Sequence, residues 1–212
     1  MKKISALLVV LLALWMALPA SSQINLGVLG GVNLANLSYD PEPEGFDFPN
    51  RMGFRIGGVL DYNMNKSIAF HLEPMYLLKG GKAESDAYDV KTEIKLAYLE
   101  VPVMLKYSFA ANDIKPYIIA GPTIGFNLSS KGKETWGGVS EEYDSKDQTS
   151  SIDFGLGFGA GVSQQIGNNF IFVEARYALG LTKINDVKDP GVYLKNKGIQ
   201  IFAGITFPLD GE

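Results

Sequence analysis

From residue 98 to residue 107 the chain alternates without a break. Leu99, Val101, Val103, Leu105 and Tyr107 take every second position, with Tyr98, Glu100, Pro102, Met104 and Lys106 between them. A period of two means an extended strand with two chemically different faces, here one apolar and one charged. The rhythm recurs along the chain. Residues 24–38 carry Leu26, Val28, Val32 and Leu34 on one parity, and 52–62 set Phe54, Ile56, Leu60 and Tyr62 against Arg55, Val59 and Asp61. Residues 67–79 set Ile68, Phe70, Leu72, Tyr76 and Leu78 against His71, Glu73 and Lys79. Residues 115–128 read as a strand whose facing Gly121-Pro122 leaves ambiguous. Residues 152–165 alternate Phe154, Leu156, Phe158, Ala160 and Val162 with Gly155, Gly157, Gly159 and Gly161. Residues 170–181 set Ile171, Val173, Ala175, Tyr177 and Leu179 against Phe172, Glu174 and Arg176. The last strand, 198–207, shows Ile199, Ile201, Ala203, Ile205 and Phe207.

About eight strands result. The connections at 39–51, 80–91, 129–151 and 182–196 are long and read as polar loops. Those at 63–66, 112–113 and 167–169 are short turns rich in Asn and Gly. Alternating long and short connections, an even strand count and termini on one side are what a transmembrane barrel requires. Pro102 removes a ladder donor, so a bulge or broken hydrogen bond is expected beside it.

A soluble lipocalin-like barrel shares the strand count but would turn its apolar face inward around a ligand. Three features favour lipid outside. Phe54, Tyr76, Phe126, Phe154 and Tyr177 fall towards the long loops, while Tyr62, Phe70, Tyr107, Tyr117 and Phe207 fall towards the short turns, as two interfacial girdles would. The polar parity is rich in glycine and poor in charge for a solvated face. An aromatic, Phe207, closes the last strand.

Composition narrows the choice. The 212 residues include 24 Gly, 12 Phe and 10 Tyr, which suit strands and turns. A helical membrane bundle would need several apolar runs of about 20 residues, and the sequence lacks them. Lys2 and Lys3, an apolar run over 4–18, and Ala20 and Ser22 before a cut form a secretory leader. The expected organisation is therefore a cleavable signal peptide at 1–22 and an all-β, eight-stranded antiparallel up-and-down transmembrane barrel at 23–212. The formal charge is −4, or −6 once Lys2 and Lys3 are removed, which gives no case for nucleic acid. There is no cysteine, hence no disulfide, thiolate ligand or lipidated thiol.

If the apolar parity meets lipid, Arg55, Glu73, Glu100, Lys106, Glu174 and Arg176 face the lumen. Eight strands enclose a bore that side chains fill, so these charges read as a structural ion-pair plug and not as an ion path. The four alternating glycines lack the strand–turn–helix setting of a nucleotide loop and instead make room for bulky lumen residues. His71 is the sole histidine, which excludes a multi-histidine metal site, and no Ser-His-acid spacing surrounds it. The acidic stretch 40–47 lacks an EF-hand pattern and reads as a solvated loop. No catalytic residue, metal or cofactor is expected. Trp136 and Tyr143 in the 129–151 loop are the candidates for an external contact.

Four stretches carry a family resemblance: Leu96-Ala97-Tyr98-Leu99-Glu100-Val101-Pro102-Val103-Met104-Leu105-Lys106-Tyr107, Lys115-Pro116-Tyr117-Ile118-Ile119-Ala120-Gly121-Pro122, Val173-Glu174-Ala175-Arg176-Tyr177 with Gly180-Leu181-Thr182, and Asn196-Lys197-Gly198-Ile199-Gln200. Together they resemble the PorT-like outer-membrane β-barrel family of Bacteroidetes-type bacteria. The resemblance implies the barrel fold, an outer membrane location and at most a link to type IX secretion. The expected partners are outer membrane lipid, the barrel assembly machinery and a protein met through the external loops. A small-solute pore, a soluble ligand-binding barrel and a lipid-modifying enzyme are the competing classes.

Overall fold

The computed structural model describes residues 23–109, 114–186 and 191–209. The expected leader, the 112–113 turn and the 187–190 part of the last long loop lie outside the described residues. Ten strands follow in order: β1 Gln23–Asp40, β2 Arg51–Asn63, β3 Ile68–Leu72, β4 Met75–Ser85, β5 Val90–Ser108, β6 Ile114–Trp136, β7 Val139–Asp144, β8 Ile152–Ile166, β9 Asn169–Gly180 and β10 Tyr193–Leu209.

Eight staves close into a ring. β3 and β4 are one stave interrupted at Glu73-Pro74, pairing in turn with β2 and β5. β5 pairs β6, β6 pairs β8, β8 pairs β9, and β9 pairs β10, all antiparallel. The ring shuts where β1 runs beside β10, from Ile24 opposite Leu209 to Asp40 opposite Tyr193. Closure removes the free edges of an open sheet, which hydrocarbon would leave unsatisfied.

The apolar parity points outward. Val28, Ile56, Phe70, Val103, Leu105, Ile118, Phe158, Val173 and Ile201 are all exposed, which lipid but not water would reward. Two positions depart from the expected girdles. Tyr62 is half-buried, and Tyr117 is buried inside. On β6 the odd positions around Gly121-Pro122 face inward, and the Tyr117 hydroxyl donates to Glu174 Oε2 at 3.0 Å. A phenol that finds a carboxylate within the lumen has no need of the interface.

The glycines of β8 give way to larger neighbours, as their spacing suggests. A Cβ at Gly161 would lie 2.4 Å from the Tyr117 ring, and one at Gly157 would lie 2.6 Å from Met104 Cε. Pro102 sits in a broken ladder: pairing with β6 lapses over Val103 and Met104, and the β3/β4 interruption lies across from it. Glu73 still donates its N–H to the Pro102 carbonyl at 3.3 Å. The bulge itself falls elsewhere, between Ala97 and Tyr98.

That bulge marks where barrel becomes extension. The loops expected at 80–91 and 129–151 are largely strand: β4 runs to Ser85, β5 begins at Val90, and β6 continues to Trp136 before turning into β7. Lys82 pairs with Glu93, Glu93 with Lys133, and Lys133 with Glu142, so four strands form a sheet beyond the barrel rim. Polar composition hid these strands, because a sheet wholly or partly solvated on both faces need not alternate in hydropathy. The 145–151 segment then closes back over the mouth, where Ser150 N–H donates to Ile184 O and Asp186 N–H to Gln148 O. The acidic stretch at 40–47 also touches this sheet, through a bridge between Asp47 and Glu84.

Candidate functional site

The lumen is built in layers. In the layer nearer the short turns, Glu73 is the shared acceptor. Arg55 on β2 donates Nη2 to Glu73 Oε2 at 2.7 Å and Nη1 to Gln200 Oε1 at 2.5 Å, while its guanidinium lies 3.7 Å from the centre of the Phe202 ring. Arg176 on β9 forks onto both Glu73 oxygens, at 2.6 and 3.0 Å, and its Nε reaches Glu174 at 2.7 Å. Such bidentate pairing is how a guanidinium is best satisfied away from water. His71 has Glu73 at Nε2, 2.7 Å away, and Asp61 at Nδ1. Lys106 contacts Asp61 at 3.5 Å and lies over the Tyr117 ring. Leu29, Val59, Met104, Ile119 and Phe172 pack around these groups.

A second layer lies above. Lys79 on β4 pairs with Glu100 and with Asp153, the latter at 3.1 Å. Asn196 donates to the same Asp153 oxygen at 2.9 Å. The cavity lined by Asn33, Lys79, Thr123, Asn196 and Gln200 has about 10 Å³ of free space, the room of about one water molecule. Over it Leu37, Leu96, Tyr98 and Ile184 make an apolar lid, joined by Tyr39, Ile94 and Leu194.

All six charges assigned to the lumen from the sequence lie inside, but in two groups. Arg55, Glu73, Glu174 and Arg176 meet directly, with Lys106 joined through Asp61. Glu100 belongs to the upper layer with Lys79 and Asp153. Sequence reasoning placed Asp61, His71 and Lys79 on the polar parity without naming them as partners. It missed Asp153, whose signal was its place at the head of the glycine parity of β8.

The two external candidates separate. Trp136 and Val139 flank the Gly137-Gly138 turn as a cross-strand pair, and each is 74% exposed. Both glycines have positive φ, 56° and 80°, the geometry of a tight two-residue hairpin. Tyr143 is engaged within the sheet: its ring occupies the space a Cβ would need at Gly132, and its hydroxyl donates to Glu134 at 3.0 Å. Desolvation, then the Glu134 carboxylate, raises the Tyr143 pKa above its ordinary value. The Lys95 ammonium, 2.6 Å from Glu142, holds that carboxyl below its usual range.

A closed ring of antiparallel strands with an apolar outer face and a charged, filled interior defines an outer membrane β-barrel. Residues 19–186 match the profile of the family described as Outer membrane protein beta-barrel domain, and the chain belongs to that family. It is an outer membrane protein. Among solved structures it is similar to Neisserial surface protein A, at 17% identity and TM-score 0.51, over 87% of this chain and 96% of that one. Weaker likenesses join it to the N-terminal β-barrel domain of Pseudomonas aeruginosa OprF (12% identity, 89% and 100% covered, TM-score 0.39) and to the outer membrane protease OmpT from Escherichia coli (8% identity, 88% and 97% covered, TM-score 0.36). A search of curated protein sequences finds no match.

Proposed function

We propose that this protein is a non-conducting, non-catalytic barrel that holds a rigid sheet outside the cell for contact with another protein. The observation that carries the reading is the pair of large apolar side chains, Trp136 and Val139, exposed at the end of an extension fixed by continuous strand pairing. Exposed aromatics on a preformed support suit binding, because little ordering cost remains to be met. In this reading 1–22 is the export leader, the long-loop end faces outward, and the narrower kinship is PorT-like. Conductance is opposed by two ion-paired layers and an apolar lid across the bore. The lumen charges act as structure, since each is held by a partner of opposite sign. Residues 23–212 reconstituted into planar bilayers should give no stable unitary current, and Trp136→Ala should weaken attachment of cells to a protein-coated surface. Large steady currents from the unaltered protein would transfer the assignment to a small-solute pore.

A further inference from the structure

Every stave of the ring has a strand on both sides. β7 has β6 on one side and none on the other among the described residues, and all six of its residues are exposed. The two-residue turn makes Trp136 and Val139 the first hydrogen-bonded pair of the hairpin, so alternation leaves Ser140, Glu142 and Asp144 with N–H and C=O directed away from β6. An unpaired strand edge of this kind is a template for another strand.

We infer that β7 is a docking edge for an extended segment of a partner protein, and that this segment carries a Lys or Arg between two apolar residues at alternate positions. The inference rests on the proposed external contact and states its chemistry. One face of β7 presents Val139, Glu141 and Tyr143, the other Ser140, Glu142 and Asp144. A strand added beside Val139, Glu141 and Tyr143 meets an apolar, an acidic and an aromatic side chain in turn. The strand contains three acids and no base, which selects a basic partner and penalises a second copy of this chain, whose own β7 would bring like charges together. On the far face Glu142 is already paired with Lys95 and the Asp144 carboxylate accepts the Lys146 N–H, so Glu141 is the acid left to choose the partner's charge.

The edge is also held ready. Tyr143 packs over Gly132, Thr135 Oγ1 and Ser140 Oγ lie 2.8 Å apart, and the Asp144 carboxylate accepts the Lys146 N–H at 2.8 Å. The charges that guard β7 against indiscriminate strand addition therefore act as a filter.

The test uses the full barrel refolded in detergent micelles and three fluorescein-labelled decapeptides read by anisotropy. One, the Val/Lys peptide, carries Val, Lys and Val at alternate positions with Ser between them, the second, the Val/Glu peptide, has Glu in place of that Lys, and the third is the Val/Lys peptide N-methylated at alternate backbone positions. The Val/Lys peptide should bind at least about tenfold tighter than either of the others, the cost expected for a lost charge match or lost backbone hydrogen bonds. Ser140→Pro removes an outward N–H and no backbone bond to β6, so it should reduce that binding by a similar factor while the barrel keeps its heat-modifiable gel shift, whereas Ser140→Ala, which loses the same hydroxyl contact with Thr135 but keeps the N–H, should bind as the unaltered protein does. Glu141→Lys should reverse the preference between Val/Lys and Val/Glu. Equal binding of the N-methylated peptide, indifference to Ser140→Pro, or no binding of the Val/Lys peptide at millimolar concentration would each overturn the edge. If Trp136→Ala weakens cell attachment while Ser140→Pro does not, the external contact stands and the edge falls. If neither variant changes attachment, the external contact falls as well.

Discussion

Two carboxylates in this molecule have ion pairs of nearly equal length and opposite consequence. Glu73 lies 2.6 Å from Arg176 with no exposed side-chain surface, whereas Glu142 lies 2.6 Å from Lys95 with 53% of its side chain exposed. In the lumen neither water nor lipid can replace a lost partner, so each charge depends on the next. In the external sheet water stands ready, and the pair adjusts local geometry. Distance alone does not rank these contacts. Their surroundings do.

The sharpest way to break this contrast is to remove the acceptor that two guanidinium groups and an imidazole share. Glu73→Gln leaves Arg55, Arg176 and His71 without their common carboxylate and should lower barrel stability by about 3–5 kcal/mol. The urea midpoint of the unfolding gel shift in lipid vesicles measures it. A midpoint within error of the unaltered protein would mean the lumen is wet enough to solvate the guanidinium groups. Filling the space that β8 yields to Tyr117 comes next: Gly161→Val should cost about 1–3 kcal/mol by overpacking, read by the same midpoint. Tyr117→Phe keeps the ring and deletes only the bond to Glu174, with an expected loss of about 1 kcal/mol.

In the extension the same class of change should spare the barrel. Tyr143→Ala uncovers Gly132 and should raise amide exchange across β7 several-fold, while the unfolding midpoint shifts by less than about 0.5 kcal/mol. The smallest effect concerns pH. Lys95 depresses the Glu142 pKa, so its contribution is complete above the ordinary carboxylate range and fades as pH falls through the depressed value. Protection factors of β7 should therefore fall on acidification in the unaltered protein and not in Glu142→Gln, with the lumen amides unchanged in both. A parallel loss in the lumen would show that the two regions are coupled.

How much could be read beforehand follows from what alternation records. It was clear wherever one face met lipid, as in β2, β5 and β8, because every second residue is then constrained to be apolar. It failed in the upper halves of β4, β5 and β6 and in β7, where both faces are wholly or partly solvated and the period carries no signal. Arg55, Glu73, Glu100, Lys106, Glu174 and Arg176 could be placed inside from parity alone. Which of them touch could not, because contact across a bore depends on the stagger of strands far apart in sequence, such as Glu73 and Arg176. Tyr143 shows the same limit: its aromatic character was visible, but its engagement with Gly132 needed the β6–β7 register.

The alternation, the glycine parity of β8 and the long–short order of connections were enough to determine a lipid-facing barrel, since a membrane imposes its constraint residue by residue along each strand. Only the tertiary structure decided the division of the lumen into two ion-paired layers, the lid above them and the open edge of β7. Those features depend on how distant strands are staggered and paired, and local sequence patterns do not encode that directly.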